Sequence, residues 1–375
     1  MRTVDAAGLK IGDEHPPRIM GVLNVSQESP YEPSVFDDPG EAAAYVDEDL
    51  IGEGADIVDV GLESANKKFD VLSAQQELDR LDTAIDTIES VSGDAVFSIE
   101  TRYHEVAEEA LKRGFDMVND ICGFADPKMP EVCEEYDVAV GKMASPPDLE
   151  RPGAIEDVDE IYDALFRNGL TDKTIVDPAF GGWSEEKTIA DDRETFRRLR
   201  EFRGTGHPIL VSINRKNFLR SIAGRETEDA LPVSLAATSM AVERGAHVVR
   251  THDVKETVDA AAIGAAFTQL RETVRDGVTV TELDVRTSRD VARHLERIDA
   301  PSTDGTPFVG AVFEVRGLAP DSIDALGRAA TEAGAVLRPG DGSLLLGGRQ
   351  DTLDDLATRL PDDGDLETLT EALLE

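Results

Sequence analysis

Cysteine and long apolar runs are nearly missing from this chain, and their scarcity excludes several classes of protein. The 375 residues include only two cysteines, Cys122 and Cys133, too few for a disulfide-stabilised secreted scaffold and outside any Cys-x-x-Cys motif. No apolar stretch approaches the roughly 18 residues that a membrane-spanning helix needs. The N-terminus also lacks the apolar region of a signal peptide. We therefore expect a cytoplasmic protein.

Positive charge is scarce as well. Lysine and arginine number 38 against 77 aspartates and glutamates, which gives a formal net charge of −39 and a sequence pI near 4.4. Such an excess of carboxylates is repelled by phosphodiester backbones and by anionic lipid headgroups, which argues against a nucleic-acid or membrane-surface protein. The expected partners are small molecules or other proteins.

Lysine is the rarer of the two basic residues, and aromatic residues make up only 5% of the chain. An acid-rich, lysine-poor composition is typical of a cytoplasm filled with potassium salt, because at about 1 M ionic strength the Debye length falls to about 3 Å. We predict a salt-adapted, halophilic-type protein, with an ordinary acidic enzyme of a low-salt cell as the alternative. The apolar fraction of 40% is sufficient for packed cores.

Short β-rich runs alternate with amphipathic stretches, a pattern typical of repeated βα units with parallel strands. Eight βα pairs in about 260 residues favour a closed (β/α)8 TIM barrel over an open doubly wound sheet. No Gly-x-Gly-x-x-Gly motif follows the first strand, which argues against a dinucleotide-binding fold. The predicted strands are 18–23, 56–60, 95–99, 116–119, 139–143, 174–177, 208–212 and 247–250. The predicted helices are 40–54, 74–91, 103–113, 127–135, 156–168, 190–203, 229–244 and 255–275.

The pattern changes after about residue 276, beyond which the chain has no lysine. Turn-rich segments surround strands predicted at 308–315 and 343–346. Helices are predicted at 287–298, 320–333, 350–359 and 364–374. We therefore predict two domains, a barrel over 1–276 and a small α/β domain over 277–375. Docking, dimerisation or a cap on the barrel are the roles that suit the second domain.

Polar residues gather where the predicted strands end, which is where TIM barrels place their chemistry. A single carboxylate at such a position often only caps the next helix. The whole set offers hydrogen-bond acceptors for a flat, donor-rich heterocycle beside a cationic pocket for a phosphate or diphosphate. Its members are Asn24, Glu100, Asn119, Asp177, Arg215, Lys216, Arg250 and His252, with Lys67, Lys68 and Lys142 as further cations at the barrel mouth.

Seven blocks of sequence, one for almost every strand and in family order, resemble the dihydropteroate synthases, a family of pterin-binding TIM-barrel enzymes. The resemblance covers about residues 15 to 270 and leaves out the tail. The blocks are Ile19-Met20-Gly21-Val22-Leu23-Asn24-Val25, the segment from Asp56 to Ser64, Ser98-Ile99-Glu100-Thr101, Val118-Asn119-Asp120-Ile121, Ile175-Val176-Asp177-Pro178, Arg215-Lys216 and Arg250-Thr251-His252-Asp253-Val254.

The resemblance implies a magnesium-dependent transferase of folate synthesis. Such an enzyme joins 6-hydroxymethyl-7,8-dihydropterin diphosphate to 4-aminobenzoate and releases pyrophosphate. Asp177 and Asn119 would bind the amino-pyrimidinone edge of the pterin, and Lys216 would reach it from the opposite side. The resemblance implies catalytic roles for Lys216, Asp177 and Arg250, substrate-binding roles for Glu100, Asn119, Asp177, Lys216, Arg215, Arg250 and His252, and a Mg2+ ligand in Asn24. A homodimer is the oligomer that it implies.

The departures from the family pattern fall mainly on the amine side. Glu100 stands where the family has Asp and is one methylene longer, so the pterin contact there has to be rebuilt or indirect. The family's Ser-Thr-Arg-Pro loop is Ser64-Ala65-Asn66-Lys67 here, which loses a hydroxyl and an arginine. Trp183, the only tryptophan, either stacks on an aromatic substrate or packs in the protein.

Two alternatives stay open beside the synthase. One is another pterin-binding barrel enzyme, such as a methyltetrahydrofolate-type methyltransferase. The cations Arg215, Lys216 and Arg250 with His252 favour the synthase, because a methyl transfer has no diphosphate to hold. The other alternative is a non-catalytic pterin-binding protein whose C-terminal domain recruits a partner.

Overall fold

A computed structural model describes residues 1–25, 34–63, 71–149, 153, 155–181, 187–268, 272–275, 278–281, 283, 285–300, 308–339, 343–361 and 364–374. The chain divides into two compact units, Met1–Leu270 and Arg271–Glu375. No helix within the described ranges is both long enough and apolar enough to cross a membrane.

The first unit is a parallel β-barrel preceded by a short hairpin of strands β1 (Val4–Ala6) and β2 (Leu9–Ile11). The barrel strands are β3 (Arg18–Asn24), β4 (Ile57–Gly61), β5 (Val96–Thr101), β6 (Met117–Asp120), β7 (Ala139–Met143), β8 (Thr174–Asp177), β9 (Leu210–Val211) and β10 (Val248–Thr251). They are hydrogen-bonded in the order β8-β7-β6-β5-β4-β3-β10-β9. A parallel bridge between Val176 and Ile209 joins the two ends of this order and closes the barrel. The predicted TIM barrel is therefore confirmed.

Helices surround the barrel and cover the outward residues of its strands, which form the main hydrophobic core with them. Hydroxyl or carboxylate side chains cap several of these helices, as Ser73 does for the second one in a capping box with Gln76. The helices are α1 (Pro39–Tyr45), α2 (Ala74–Ser90), α3 (His104–Lys112), α4 (Met129–Glu135), α5 (Val158–Phe166), α6 (Ile189–Arg197), α7 (Asn217–Ala223), α8 (Leu231–Glu243) and α9 (Val254–Phe267). A π-helical turn, Val46–Ile51, follows α1, and a 3-10 helix, Leu199–Thr205, follows α6.

The hairpin β1–β2 packs against the amino-terminal end of the barrel. Its side chains Val4, Ala6 and Ile11 join a buried cluster with one inward residue from each barrel strand. This apolar plug seals the lower end of the lumen, so a ligand can reach the lumen only from the carboxyl ends of the strands. The eight strand residues are Met20, Ile57, Val96, Met117, Ala139, Ile175, Leu210 and Val248.

Several details differ from the sequence prediction, and one of them is the hairpin β1–β2, where no strand was predicted. The helix predicted over 255–275 ends at Phe267, because the backbone of Thr268 turns to an extended conformation and its hydroxyl donates to the carbonyl of Gly264 at 2.9 Å. Residues 272–275 are instead a strand. Helix α7 lies where no helix was predicted.

Within its described residues, the second unit has two antiparallel sheets and four helices. Strands β11 (Glu272–Arg275) and β12 (Val278–Thr281) form a hairpin. Strands β13 (Gly310–Val315), β14 (Val336–Pro339) and β15 (Leu344–Arg349) form a sheet with β15 in the centre. Its leucine-rich core includes Leu326, Leu346 and Leu356. The helices are α10 (Ser288–Arg297), α11 (Pro320–Ala333), α12 (Gln350–Arg359) and α13 (Gly364–Leu374).

Candidate active site

The barrel lumen becomes polar above its apolar plug. Side chains alternate along a strand, so every second residue of β3 to β10 points inward. Two positions beyond the plug, the inward residues include Asp59, Ser98, Asn119, Asp177 and Arg250. The lumen therefore brings together hydrogen-bond acceptors from four strands and a cation from a fifth.

Asp59 is the centre of this polar layer and is fully buried. Its Oδ1 accepts from the Ser98 hydroxyl at 2.8 Å. Its Oδ2 accepts from Asn119 Nδ2 at 2.9 Å and from Arg250 Nε at 2.7 Å. Sequence reasoning did not select Asp59 as a site residue. The available signal was a lone acid at an inward position of an otherwise apolar strand.

Arg250 is held by a second carboxylate. Its Nη2 group donates to Glu100 Oε2 at 2.6 Å, and only 10% of the Glu100 side chain is exposed. Burial raises the pKa of Glu100 above its usual value, while the charge of Arg250 opposes this shift. The longer side chain of Glu100 thus reaches the guanidinium that the sequence assigned to the diphosphate.

Asp177 lies at the carboxyl end of β8, and its Oδ1 accepts from the backbone amide of Ala179 at 2.8 Å. Burial raises the pKa of Asp177 to about 6, against the lowering effects of that hydrogen bond and of the Lys216 charge. Burial also lowers the pKa of Lys216, which the Asp177 carboxylate opposes. The carboxylate and the ammonium therefore act on each other in a desolvated site, where charges interact strongly.

A lysine and an aspartate brace the turn that follows Asp177. Ala179 and Gly181 have φ values of 57° and 65°, a left-handed conformation that costs a non-glycine residue about 1 kcal/mol or more. Lys187 Nζ donates to the Ala179 carbonyl at 3.1 Å and lies 3.6 Å from Asp192 Oδ1. Asp192 in turn accepts from the Gly181 amide at 2.9 Å. Sequence reasoning missed both residues, because nothing in the spacing relates them to Asp177.

An apolar wall stands above Asn119 and Asp177. Met143 and Ala179 form a small buried cluster with Ile121 packed against it. Gly141 pairs with Asn119 across the strands, and a Cβ at Gly141 would lie only 3.0 Å from Asn119 Oδ1. Acceptors beside an apolar wall suit a flat ring that carries donors on one edge.

Asn24, Ser34 and His252 form the opposite side of the upper lumen. Asn24 Nδ2 donates to the Ser34 hydroxyl at 3.1 Å, and that oxygen lies 3.2 Å from His252 Nδ1. Burial, with the nearby Arg250 charge, lowers the pKa of His252 to about 3. This shift favours a neutral, hydrogen-bonding imidazole at His252 over the cation that the sequence analysis predicted.

The comparisons with known proteins agree with this geometry. Residues 20–252 match the family model described as "Pterin binding enzyme". The dihydropteroate synthase of Bacillus subtilis is 30% identical over 244 residues, which cover 64% of this chain and 84% of that protein. The chain belongs to the dihydropteroate synthase family of pterin binding enzymes.

Two further dihydropteroate synthase relatives define how much of the chain is covered. The synthase of Coxiella burnetii, solved in complex with pteroic acid, is 29% identical with a TM-score of 0.60, over 70% of this chain and 98% of that one. A probable bifunctional folylpolyglutamate synthase/dihydropteroate synthase of Halobacterium salinarum is 33% identical over 66% of this chain. The match spans only 31% of that bifunctional relative. The predicted family, and a transferase of that family, are confirmed.

Arg215 is a correction to the predicted dihydropteroate synthase site. Its guanidinium binds both carboxylate oxygens of Asp253, at 2.8 and 2.9 Å, and donates to the carbonyls of Thr227 and Glu228. Its backbone is left-handed, with a φ of 51°. Arg215 therefore connects the start of α9 to the loop before α8 instead of offering its charge to a diphosphate.

Lys142 is the second correction. It occupies an outward position of β7, across from Asp120, and its side chain is fully buried. Its ammonium donates to the carbonyls of Arg167 and Gly169 beyond the end of α5. Lys142 thus serves the outer layer of the barrel and not its mouth.

Several predicted features of the synthase site lie outside the described residues. They are the altered loop 64–67 with Lys67 and Lys68, and Trp183.

Proposed function

We propose that the protein condenses 6-hydroxymethyl-7,8-dihydropterin diphosphate with an arylamine, 4-aminobenzoate in the first place, and releases pyrophosphate. The observation that carries the proposal is the meeting of Asp177 and Asn119 with Arg250 and Lys216 in one sealed lumen. Family membership and the Coxiella burnetii complex with pteroic acid support it, because pteroic acid is a pterin joined to 4-aminobenzoate.

The pterin would bind by its amino-pyrimidinone edge. The adjacent N–H groups of that edge match the two oxygens of the Asp177 carboxylate, much as a guanidinium does. The Asn119 amide, held by Asp59 at 2.9 Å, would contact the next polar group of the ring. Ile121, Met143 and Ala179 would cover the ring and exclude water.

The chemical step is a displacement at the exocyclic methylene of the pterin. The bond between this carbon and the diphosphate oxygen breaks, the electron pair leaves with pyrophosphate, and the arylamine nitrogen forms the new bond and loses one proton. Arg250, Lys216 and neutral His252 would stabilise the departing oxygens. The step needs no nucleophilic side chain, so positioning and electrostatics supply the catalysis.

Magnesium is part of this proposal through Asn24. Hard oxygen donors suit Mg2+, which usually takes one or two protein ligands together with phosphate oxygens and water. Asn24 fits this requirement, because Nδ2 is used by Ser34 while Oδ1 lies 3.0 Å from the position of a Cβ on Gly61, at the upper end of the lumen. A bound Mg2+ would neutralise charge on the diphosphate.

The arylamine and the oligomer are the finer parts of the proposal. The family contacts to the amine come from loops that are altered in this chain, so a bulkier amine such as a ribofuranosyl-aminobenzene is a second substrate to test. We propose a homodimer on the basis of the family. Exposed apolar side chains on α8 and α9, Met240, Ile263 and Phe267, are consistent with it, and light scattering measures it directly.

The decisive assay mixes the purified protein with magnesium, the pterin diphosphate and 4-aminobenzoate in molar KCl and follows pyrophosphate release. We expect release that depends on both substrates. Release only with the bulkier amine would change the second substrate. Pterin binding without release with either amine would refute a synthase and favour the non-catalytic alternative. A repeat series at low KCl tests the predicted salt adaptation.

A further inference from the structure

Glu100 and the diphosphate compete for one guanidinium. Glu100 Oε2 lies 2.6 Å from Arg250 Nη2, and a carboxylate oxygen presents the same kind of acceptor to arginine as a phosphate oxygen. The side chains are 10% exposed for Glu100 and 17% exposed for Arg250, so this ion pair is shielded from solvent. A diphosphate that is to take the same Nη2 N–H group of Arg250 must therefore displace Glu100.

Asp59 anchors the Nε end of the Arg250 guanidinium. It binds Arg250 through Nε at 2.7 Å, on a different nitrogen from the one that Glu100 uses. Asp59 is fully buried and also accepts from Ser98 and Asn119. Three hydrogen bonds from three strands hold this carboxylate in place. Loss of the Glu100 contact would thus let the Nη2 end of Arg250 move while Nε stays anchored.

Glu100 has a free acceptor on the other side. Among the described residues, its Oε1 accepts no hydrogen bond, and it lies 3.7 Å from the position of a Cβ on Gly61, in the upper lumen. Glu100 also pairs with Asn119 across β5 and β6, next to the proposed pterin edge. A donor-rich ring at Asn119 would therefore find Glu100 as a neighbouring acceptor.

We propose that Glu100 is a positioning residue that couples the two halves of the substrate site: a pterin ring draws the Glu100 carboxylate away from Arg250, and the released guanidinium then binds the diphosphate. The inference rests on the proposed function for the identity of the two ligands. Under this proposal Glu100 also changes the affinity for the diphosphate, which a contact with the pterin alone would not do.

The test measures the affinity of magnesium pyrophosphate by calorimetry, with and without saturating 6-hydroxymethylpterin, which carries no diphosphate. In the wild-type protein we expect the pterin to strengthen pyrophosphate binding by about fivefold or more, and pyrophosphate to strengthen pterin binding by the same factor. In Glu100→Gln, which keeps the shape but removes the charge, pyrophosphate should bind more tightly alone and the effect of the pterin should shrink.

A matched control separates this effect from general loss of a buried carboxylate. Asp120 is 1% exposed and faces outward at the end of β6, where burial raises its pKa to about 6. Asp120→Asn should retain the wild-type coupling. A merely structural role for Glu100 predicts weaker binding of both ligands in Glu100→Gln, with no gain for pyrophosphate.

The inference is wrong if pyrophosphate affinity in the wild-type protein does not respond to the pterin, or if Glu100→Gln binds pyrophosphate no more tightly. These results are distinct from a failure of the proposed function. Condensation that proceeds without coupling would overturn only the role of Glu100. Coupled binding without condensation would overturn the synthase and retain the role of Glu100.

Discussion

Replacement of Asp177 by asparagine should make the barrel more stable and the protein unable to hold a pterin. Burial raises the pKa of Asp177 from 3.8 to about 6, which means that the fold disfavours its ionised form. A difference of about two pKa units corresponds to about 3 kcal/mol at 1.36 kcal/mol per unit. An asparagine side chain is neutral at every pH and still offers an oxygen to the Ala179 amide. We expect Asp177→Asn to gain about 1–3 kcal/mol at pH 8.

The gain must depend on pH in one direction. In the unfolded chain Asp177 ionises near its ordinary value, whereas in the folded chain it ionises near pH 6. The destabilisation of the wild-type protein is therefore absent below about pH 4, grows as the pH rises to about 6 and is constant above that. Wild type and variant should have equal stability at pH 4 and differ most at pH 7 to 8.

Urea unfolding at pH 4 and pH 8, followed by circular dichroism, measures this difference. Pterin binding by calorimetry at pH 8 should fall by about 10- to 100-fold, because a neutral amide cannot replace a charge-assisted pair of hydrogen bonds. A variant that is less stable than wild type at pH 8, or that gains equally at both pH values, would refute the reasoning.

Asp120 supplies the control for binding. Its carboxylate is 1% exposed and its pKa is also raised to about 6 by burial, but it faces outward and accepts from the amides of Cys122 and Phe124. Asp120→Asn should leave the pterin affinity within about twofold of wild type, whatever it does to stability. A large loss of pterin binding in this variant would show that the Asp177 effect is not local.

Three further changes test the rest of the site. Lys187→Met should weaken pterin binding and move its acid limit to higher pH, because the Lys187 charge lowers the pKa of Asp177; binding measured from pH 5 to 8 checks this, with Lys187→Arg as the charged control. Gly141→Ala should lower pterin affinity by about tenfold without unfolding, since its Cβ would lie 3.0 Å from Asn119 Oδ1; calorimetry and thermal unfolding together decide. A chain ending at residue 270 should still release pyrophosphate, and an inactive but folded chain would give the second unit a part in the reaction.

The barrel was predictable from the sequence because its signal is local. Each parallel strand is a short, mostly apolar run followed by a helix, and each of the eight predicted strands overlaps an observed one. The hairpin β1–β2 escaped prediction because its strands are only three residues long. The predicted helix ran past Phe267 because hydrophobic periodicity does not show where a helix ends. Here the end is set by one residue, Thr268, whose backbone turns to an extended conformation.

The sequence predicted which residues lie near the candidate site, but not which of their side chains face the lumen. Position at a strand end selected Asp177, Asn119 and Arg250, which do lie in the lumen, and it equally selected Lys142. Side chains alternate between the lumen and the outer face along a strand. A strand boundary that is uncertain by one residue therefore cannot decide which of the two faces a residue such as Lys142 occupies. The role of Arg215 was predicted wrongly for another reason. Its left-handed backbone belongs to the turn after β9, and the residue type alone does not predict that conformation.

Charges are paired in the candidate site, although acidic residues greatly outnumber basic ones in the chain as a whole. The chain as a whole carries a net charge of −39, yet in the candidate site Arg250 binds Glu100 and Asp59, and the charge of Lys216 acts on Asp177. Next to the site, Lys187 lies beside Asp192 at the turn that follows β8. Each of these three cations thus has at least one carboxylate partner, and under the proposal for Glu100 a diphosphate binds by exchange with an internal anion. An exchange of this kind favours a ligand that also donates hydrogen bonds to the displaced carboxylates. A pterin edge has adjacent N–H donors and can do so. The same arrangement disfavours inorganic phosphate or a nucleotide diphosphate that lacks such an edge, because the displaced carboxylates would remain buried without a donor.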